Sequence, residues 1–168
     1  MQLQEIDKAR YSKHFKMVFV AVAVVLLVIA LAVSTLLIYF LTDGDGSHFW
    51  LNLAGVAVAA LVAGSLLRHY RQHPFMFEVM YVWDLKQVLN KIYRKQKQIK
   101  AAMAEGNTDA MQIMNFSYKG SRQLYLLDNN TLTMDELNKS VAELDALAES
   151  FCVSLDTVRF SPAMLDAF

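Results

Sequence analysis

Apolar and polar positions divide the chain into two regimes. Met17 to Leu41 contains no charged residue, and neither does Phe49 to Leu67. A helix needs about 20 apolar residues to cross ~30 Å of hydrocarbon. At ~1.5 Å per residue the first stretch reaches roughly 37 Å and the second roughly 28 Å. Both therefore read as transmembrane helices. Two buried core helices would be the soluble alternative, but the rest of the chain is too short to wrap two such rods. A cleaved signal peptide is the other alternative for the first stretch. Its apolar core is longer than the ~7–15 residues of a signal.

After the second stretch the pattern changes to a three-four alternation. Val82, Leu85, Leu89, Ile92, Gln96, Ile99 and Met103 form an a/d seam with one polar member, Gln96. His73-Pro74 marks the start of this helix, because the residue before proline avoids the α region while proline suits a first turn. Gly106 is placed to end it. Thr108 is the expected cap of the next helix, with Asp109 in its first turn, and Ile113, Phe116, Gly120, Leu124 and Leu127 continue a seam. Asp128-Asn129-Asn130 reads as a turn. Thr133 with Glu136 then has the form of a capping box, with Leu132 and Leu137 at staple positions. Leu137, Val141, Leu144, Ala148, Phe151 and Leu155 give the last seam, and Ser161-Pro162 restarts a short helical tail. Each helix has one apolar stripe that it cannot bury alone, so the three should pack as a bundle.

The fold class expected is thus all-α: a two-helix transmembrane hairpin followed by a cytosolic bundle of three seamed helices. The expected organisation is a cytosolic N-terminal lead-in over residues 1–16, helical over 3–16, a span over 17–41, an outer loop over 42–48, a second span over 49–67, and the bundle over 68–168. Charge sets the orientation. Lys8, Arg10, Lys13 and Lys16 precede the first span and Arg68 and Arg71 follow the second, while the loop between holds Asp43 and Asp45 and no base. Positive flanks stay in the cytosol, which puts both termini inside. Tyr39, Phe40, Phe49 and Trp50 border the loop as an interfacial aromatic belt would.

Two features concern contacts. In the second span Gly55, Ala59 and Ala63 recur every four positions, as do Ala60 and Gly64, and small rows let helix backbones approach closely. The partner is the first span of the same hairpin or a second copy. In the bundle, residues 68–122 hold ten basic and four acidic side chains, and residues 123–168 hold two and eight. The polar face of the first bundle helix carries Lys86, Lys91, Arg94, Lys95, Lys97 and Lys100, and Glu136, Glu143, Asp145 and Glu149 flank the last seam. These complementary flanks suggest that the first and last helices pair, within one chain or between two. Each exposed ion pair adds only ~0–1 kcal/mol, so the seams supply the energy. The polar Gln96 at a core-type position, with the Gly55 row, points to a homo-oligomer.

The residues Ile6-Asp7-Lys8-Ala9-Arg10-Tyr11 precede the first span, and Phe49-Trp50-Leu51-Asn52 open the second. His73-Pro74-Phe75-Met76 runs into Tyr81-Val82-Trp83, with Leu85-Lys86-Gln87 and Ile92-Tyr93-Arg94-Lys95 beyond. On these residues the whole chain resembles a family of small bacterial inner-membrane proteins known only as a domain of unknown function. The resemblance implies the two-span layout and carries no activity or cofactor.

Candidate chemistry is sparse. His69 and His73 are four apart, a spacing that can bind zinc on a helix, but Pro74 draws His73 out of helical geometry and no Cys or carboxylate lies nearby. No nucleophile elbow and no phosphate-binding glycine loop occurs. Asp43-Gly44-Asp45-Gly46 falls short of the twelve-residue calcium loop. The lone Cys152 excludes an intramolecular disulfide. No enzyme, metal or cofactor is expected. The basic face has three readings: a solvated surface answered by the acidic helix, contact with anionic lipid headgroups, and nucleic acid. The last ranks third, since eight acids in the same domain oppose it. The expected function is a membrane-tethered interaction or scaffolding module acting on itself or on another envelope protein. The alternative is a small oligomeric transport or permeation element, which the uncharged spans disfavour.

Overall fold

A computed structural model describes residues 1–42, 46–130 and 133–168; Asp43, Asp45 and Leu132 lie outside them. The described residues form five α-helices and short 3-10 turns, with no strand among them. They divide into two compact units: Ala9–Met80, and Tyr81–Phe168 together with Met1–Lys8.

The first unit is the hairpin. Helix α1 runs unbroken over Lys8–Leu41 and α2 over Phe49–Tyr70. The polar lead-in and the first apolar stretch are one helix, because neither Gly nor Pro occurs between residues 8 and 41 to interrupt it. Leu3 to Asp7, expected to be helical, precede the helix start. Gly55 meets α1 so closely that a Cβ on it would stand 2.9 Å from the Ala30 carbonyl oxygen and 3.1 Å from the Ser34 nitrogen. Ala59 and Ala63 continue the same face and are buried. The small row is therefore used inside the hairpin. One polar contact reinforces it: the buried Ser34 hydroxyl donates to Asn52 Oδ1. The other row faces outward, with open space around Gly64.

His73 is extended (φ −69°, ψ 137°), as its place before Pro74 demands. Its Nδ1 accepts the Phe75 N–H at 3.2 Å, capping the 3-10 turn Pro74–Met76. Helix α3 follows over Phe77–Ala104.

In the second unit α4 (Thr108–Leu127) is central. Seven consecutive residues, Ala110 to Phe116, are buried. Helix α5 (Met134–Ser150) and the two C-terminal 3-10 turns, Thr157–Arg159 and Pro162–Ala167, pack on it. On the α3 side a Cβ at Gly120 would lie 3.2 Å from Leu85 Cδ1 and 3.4 Å from Leu89 Cδ2. The glycine that weakens α4 as an isolated helix thus admits the α3 seam. Gly106, at φ +86°, ends α3 in the left-handed region that glycine adopts most readily.

Three local expectations are corrected. The cap of α4 is Asn107, one residue before Thr108; its Oδ1 accepts the Ala110 N–H at 2.9 Å. The capping box at Thr133 does not form: Thr133 stands at the N-cap with φ −103° and ψ 8° and makes no side-chain cap bond. The last seam stops before Phe151. Cys152 takes φ +55°, and the Val153 N–H bonds the Ala148 carbonyl at 2.8 Å, a C-terminal closure that ends α5 at Ser150. Phe151 is 44% exposed and leaves the seam to cover Gly106 with its ring, and Leu155 lies beyond the helix.

Candidate functional site

The bundle seams decide what remains at the surface. Val82, Leu85 and Ile92 of α3 and Leu137 and Leu144 of α5 are buried, while Leu89, Gln96 and Val141 are half-buried. Leu89 and Gln96 share a groove of about 530 Å³ between α3, α4 and α5. Its apolar floor includes Ile92, Leu124 and Leu137, and its rim carries Asn90, Tyr93, Lys100, Ser121 and Glu136. Gln96 therefore sits on a polar recess of its own bundle. Tyr118 also lines the groove. Burial pushes its phenol up from the ordinary value, a hydrogen bond with Ser140 opposes this, and the nearby Glu143 charge adds to it. The phenol stays a neutral hydrogen-bonding group at physiological pH.

The basic residues of α3 divide into two sets. Lys86 pairs with Asp128, at the end of α4, at 2.9 Å. Lys95 is half-buried and donates to the Leu165 carbonyl at 2.7 Å, tying the C-terminal turn down. Lys91, Arg94, Lys97 and Lys100 are exposed, as is Tyr93 between them. The Lys86 and Lys95 bonds run to the end of α4 and to the C-terminal turn, and α5 packs on α4.

Three constellations were missed by sequence reasoning. The first is a buried acid, Glu78, whose side chain is 6% exposed. Arg10 approaches its Oε1 at 3.0 Å and His14 Nδ1 its Oε2 at 3.0 Å. The Phe75 ring lies 4.2 Å from the His14 ring. Burial raises the Glu78 carboxyl, but its own backbone N–H, the His14 hydrogen bond and the Arg10 charge together hold it below the usual carboxylate value. The second is a three-bond ring at the N-terminus. The Gln4 N–H donates to the Tyr81 hydroxyl at 2.9 Å, Tyr81 donates to Gln123 Oε1 at 2.9 Å, and Gln123 Nε2 donates to the Gln4 carbonyl at 2.6 Å. The third is Gln112, 2% exposed, which donates to the Ser154 carbonyl at 2.7 Å and accepts the Asp156 N–H at 2.9 Å. Phe160 stacks on Phe116 beside it at 3.9 Å. Gln112 and Asn115 are polar residues inside an apolar run, which is the one sequence signal that could have marked the tail's dock.

Among the described residues no group of three or more His, Cys, Asp or Glu could hold a metal ion. Cys152 is exposed. The bundle presents a mixed polar and apolar groove edged by a basic face.

No curated protein and no solved structure matches the chain. Residues 1–165 match the family described as "Protein of unknown function (DUF3087)", and the chain belongs to that family.

Proposed function

We propose that the chain is a two-span protein of the bacterial inner membrane whose cytosolic bundle is a tethered interaction module, without enzymatic activity. The observation that carries the membrane part is exposure. Of the most apolar 18-residue window of α1 only 6% is buried, and of that of α2 only 17%. The core helix of a soluble protein would be mostly covered, since its apolar surface would otherwise face water. The ring of Gln4, Tyr81 and Gln123 supports an even number of spans, because it needs the N-terminal segment and the bundle on one side of the bilayer. The bases flanking the spans favour the cytosol as that side.

The bundle's partner is a second copy or another envelope protein, held by the groove around Gln96 and the exposed bases from Lys91 to Lys100. Topology tests the frame. With Cys152 removed, a cysteine at Ser47 should react with a membrane-impermeant thiol reagent in intact cells and one at Ala142 should not. Labelling at 142 alone would overturn the orientation, and labelling at both would overturn the two-span layout.

A further inference from the structure

The end of the hairpin nearest Lys8 holds a second cavity. There α1 and α2 leave a cleft of about 420 Å³, walled by Val18 and Val22 on one side and Leu66 on the other, and closed by Phe75. The lining is almost wholly apolar, with Tyr70 and His73 as its polar members. The charge around it is mainly basic. Residues 10–16 and 68–78 carry Arg10, Lys13, Lys16, Arg68 and Arg71 against one acid, Glu78, which Arg10 and His14 meet. Lys13 and Lys16 precede Met17 by four residues and one, and Arg68 and Arg71 follow Leu67 by one and four.

We propose that this cleft holds an acyl chain of an anionic phospholipid, with the phosphate taken by the bases at its mouth and by His73. The inference rests on the two-span reading and names a ligand for that membrane segment. An apolar cavity does not hold water, and the apolar material next to a membrane span is lipid. The headgroup follows from charge, because lysine and arginine beside an anionic leaflet attract it. His73 adds a directed donor. Its Nδ1 accepts the Phe75 N–H, so the neutral ring carries its proton on Nε2 and can donate it to a phosphate oxygen. A second copy is the other occupant to weigh. A two-fold contact through this face would set Lys13, Lys16 and Arg68 against themselves, and the close-packing row that would favour it is already used on α1.

The test uses the full chain in mild detergent with equal amounts of phosphatidylglycerol and phosphatidylcholine of the same acyl composition, read by native mass spectrometry. Phosphatidylglycerol should be retained in preference by on the order of tenfold. Combining Lys13→Gln, Lys16→Gln and Arg68→Gln should abolish the preference. Ala21→Trp, which fills the cleft, should lower retention of both lipids. Equal retention by the parent overturns the proposal, and so does a helical Ala21→Trp variant that retains phosphatidylglycerol at the parent level. If Ala21→Trp does not fold, the charge variant decides: an unchanged preference rejects the site. Alkaline extraction of membranes separates this from the reading beneath it. A chain that stays in the membrane but does not discriminate lipids sinks the lipid site alone, and a chain that is released sinks both.

Discussion

Gly55 and Ala30 are in backbone contact: a Cβ on the glycine would stand 2.9 Å from the alanine's carbonyl oxygen. Backbone cannot yield as a flexible side-chain end can. Gly55→Leu should therefore destabilise the hairpin by about 1–3 kcal/mol or more. Gly64→Leu, which enters open space, should stay within about 0.5 kcal/mol of the parent. Thermal unfolding in one detergent, followed by circular dichroism, compares the two. Equal effects would mean that the small row faces elsewhere.

Glu78 makes a prediction in pH. Its carboxyl titrates below the ordinary glutamate value, so folding favours the charged form. Stability from this group is fully present above the unfolded value of about 4.3 and is lost as pH falls through the lower folded value. The Tm difference between the parent and Glu78→Gln should shrink as pH drops below about 4.3. A difference that grows on acidification would show that the carboxyl is held up rather than down.

Gln112 holds the C-terminal tail by two backbone bonds. Gln112→Leu should leave the Ser154 carbonyl and the Asp156 N–H without it, at a cost of about 1–3 kcal/mol if they stay buried. The tail can instead detach to find water. Amide exchange over residues 153–168 should then rise well before exchange in α4. Protection that falls equally in both would make the tail part of the bundle's single cooperative unit.

Asn115 is 5% exposed, and its Nδ2 is buried without a hydrogen-bond partner among the described residues. Asn115→Leu, close to it in volume, should stabilise the bundle by about 1 kcal/mol or more, since an unsatisfied buried donor carries a desolvation cost. Denaturant unfolding measures the shift in midpoint. A loss of stability would mean that the amide is satisfied by water.

The parts of the fold legible in the chain were those set by periodicity and by backbone-restricting residues. The seam of α3, the break at His73-Pro74 and the stop at Gly106 follow from three-four spacing, proline sterics and glycine's access to positive φ. The end of α5 was not legible, because Phe151 and Leu155 keep the apolar spacing past the point where Cys152 turns left-handed. The cap of α4 was displaced by one residue because Asn107 and Thr108 are both good caps side by side. The constellations around Glu78, Gln112 and Gln4 join residues from 42 to 119 positions apart. No local pattern encodes such pairings; only the folded chain brings them together. The groove around Gln96 was half visible, as a polar member of a seam, but its role as a recess depends on where α4 and α5 lie.

The ring at Gln4 bears on how the chain is made. Gln4 and Gln123 are 119 residues apart, and at usual synthesis rates the second emerges on the order of ten seconds after the first. In a two-span chain both apolar helices have by then left the ribosome. In that reading the N-terminal segment has no dock during this interval, and the bases from Lys8 to Lys16 favour the cytosol. The ring closes late: in a two-span chain it latches the N-terminal segment to the bundle on whichever side both lie, so a chain with only one of the two helices inserted would never close it.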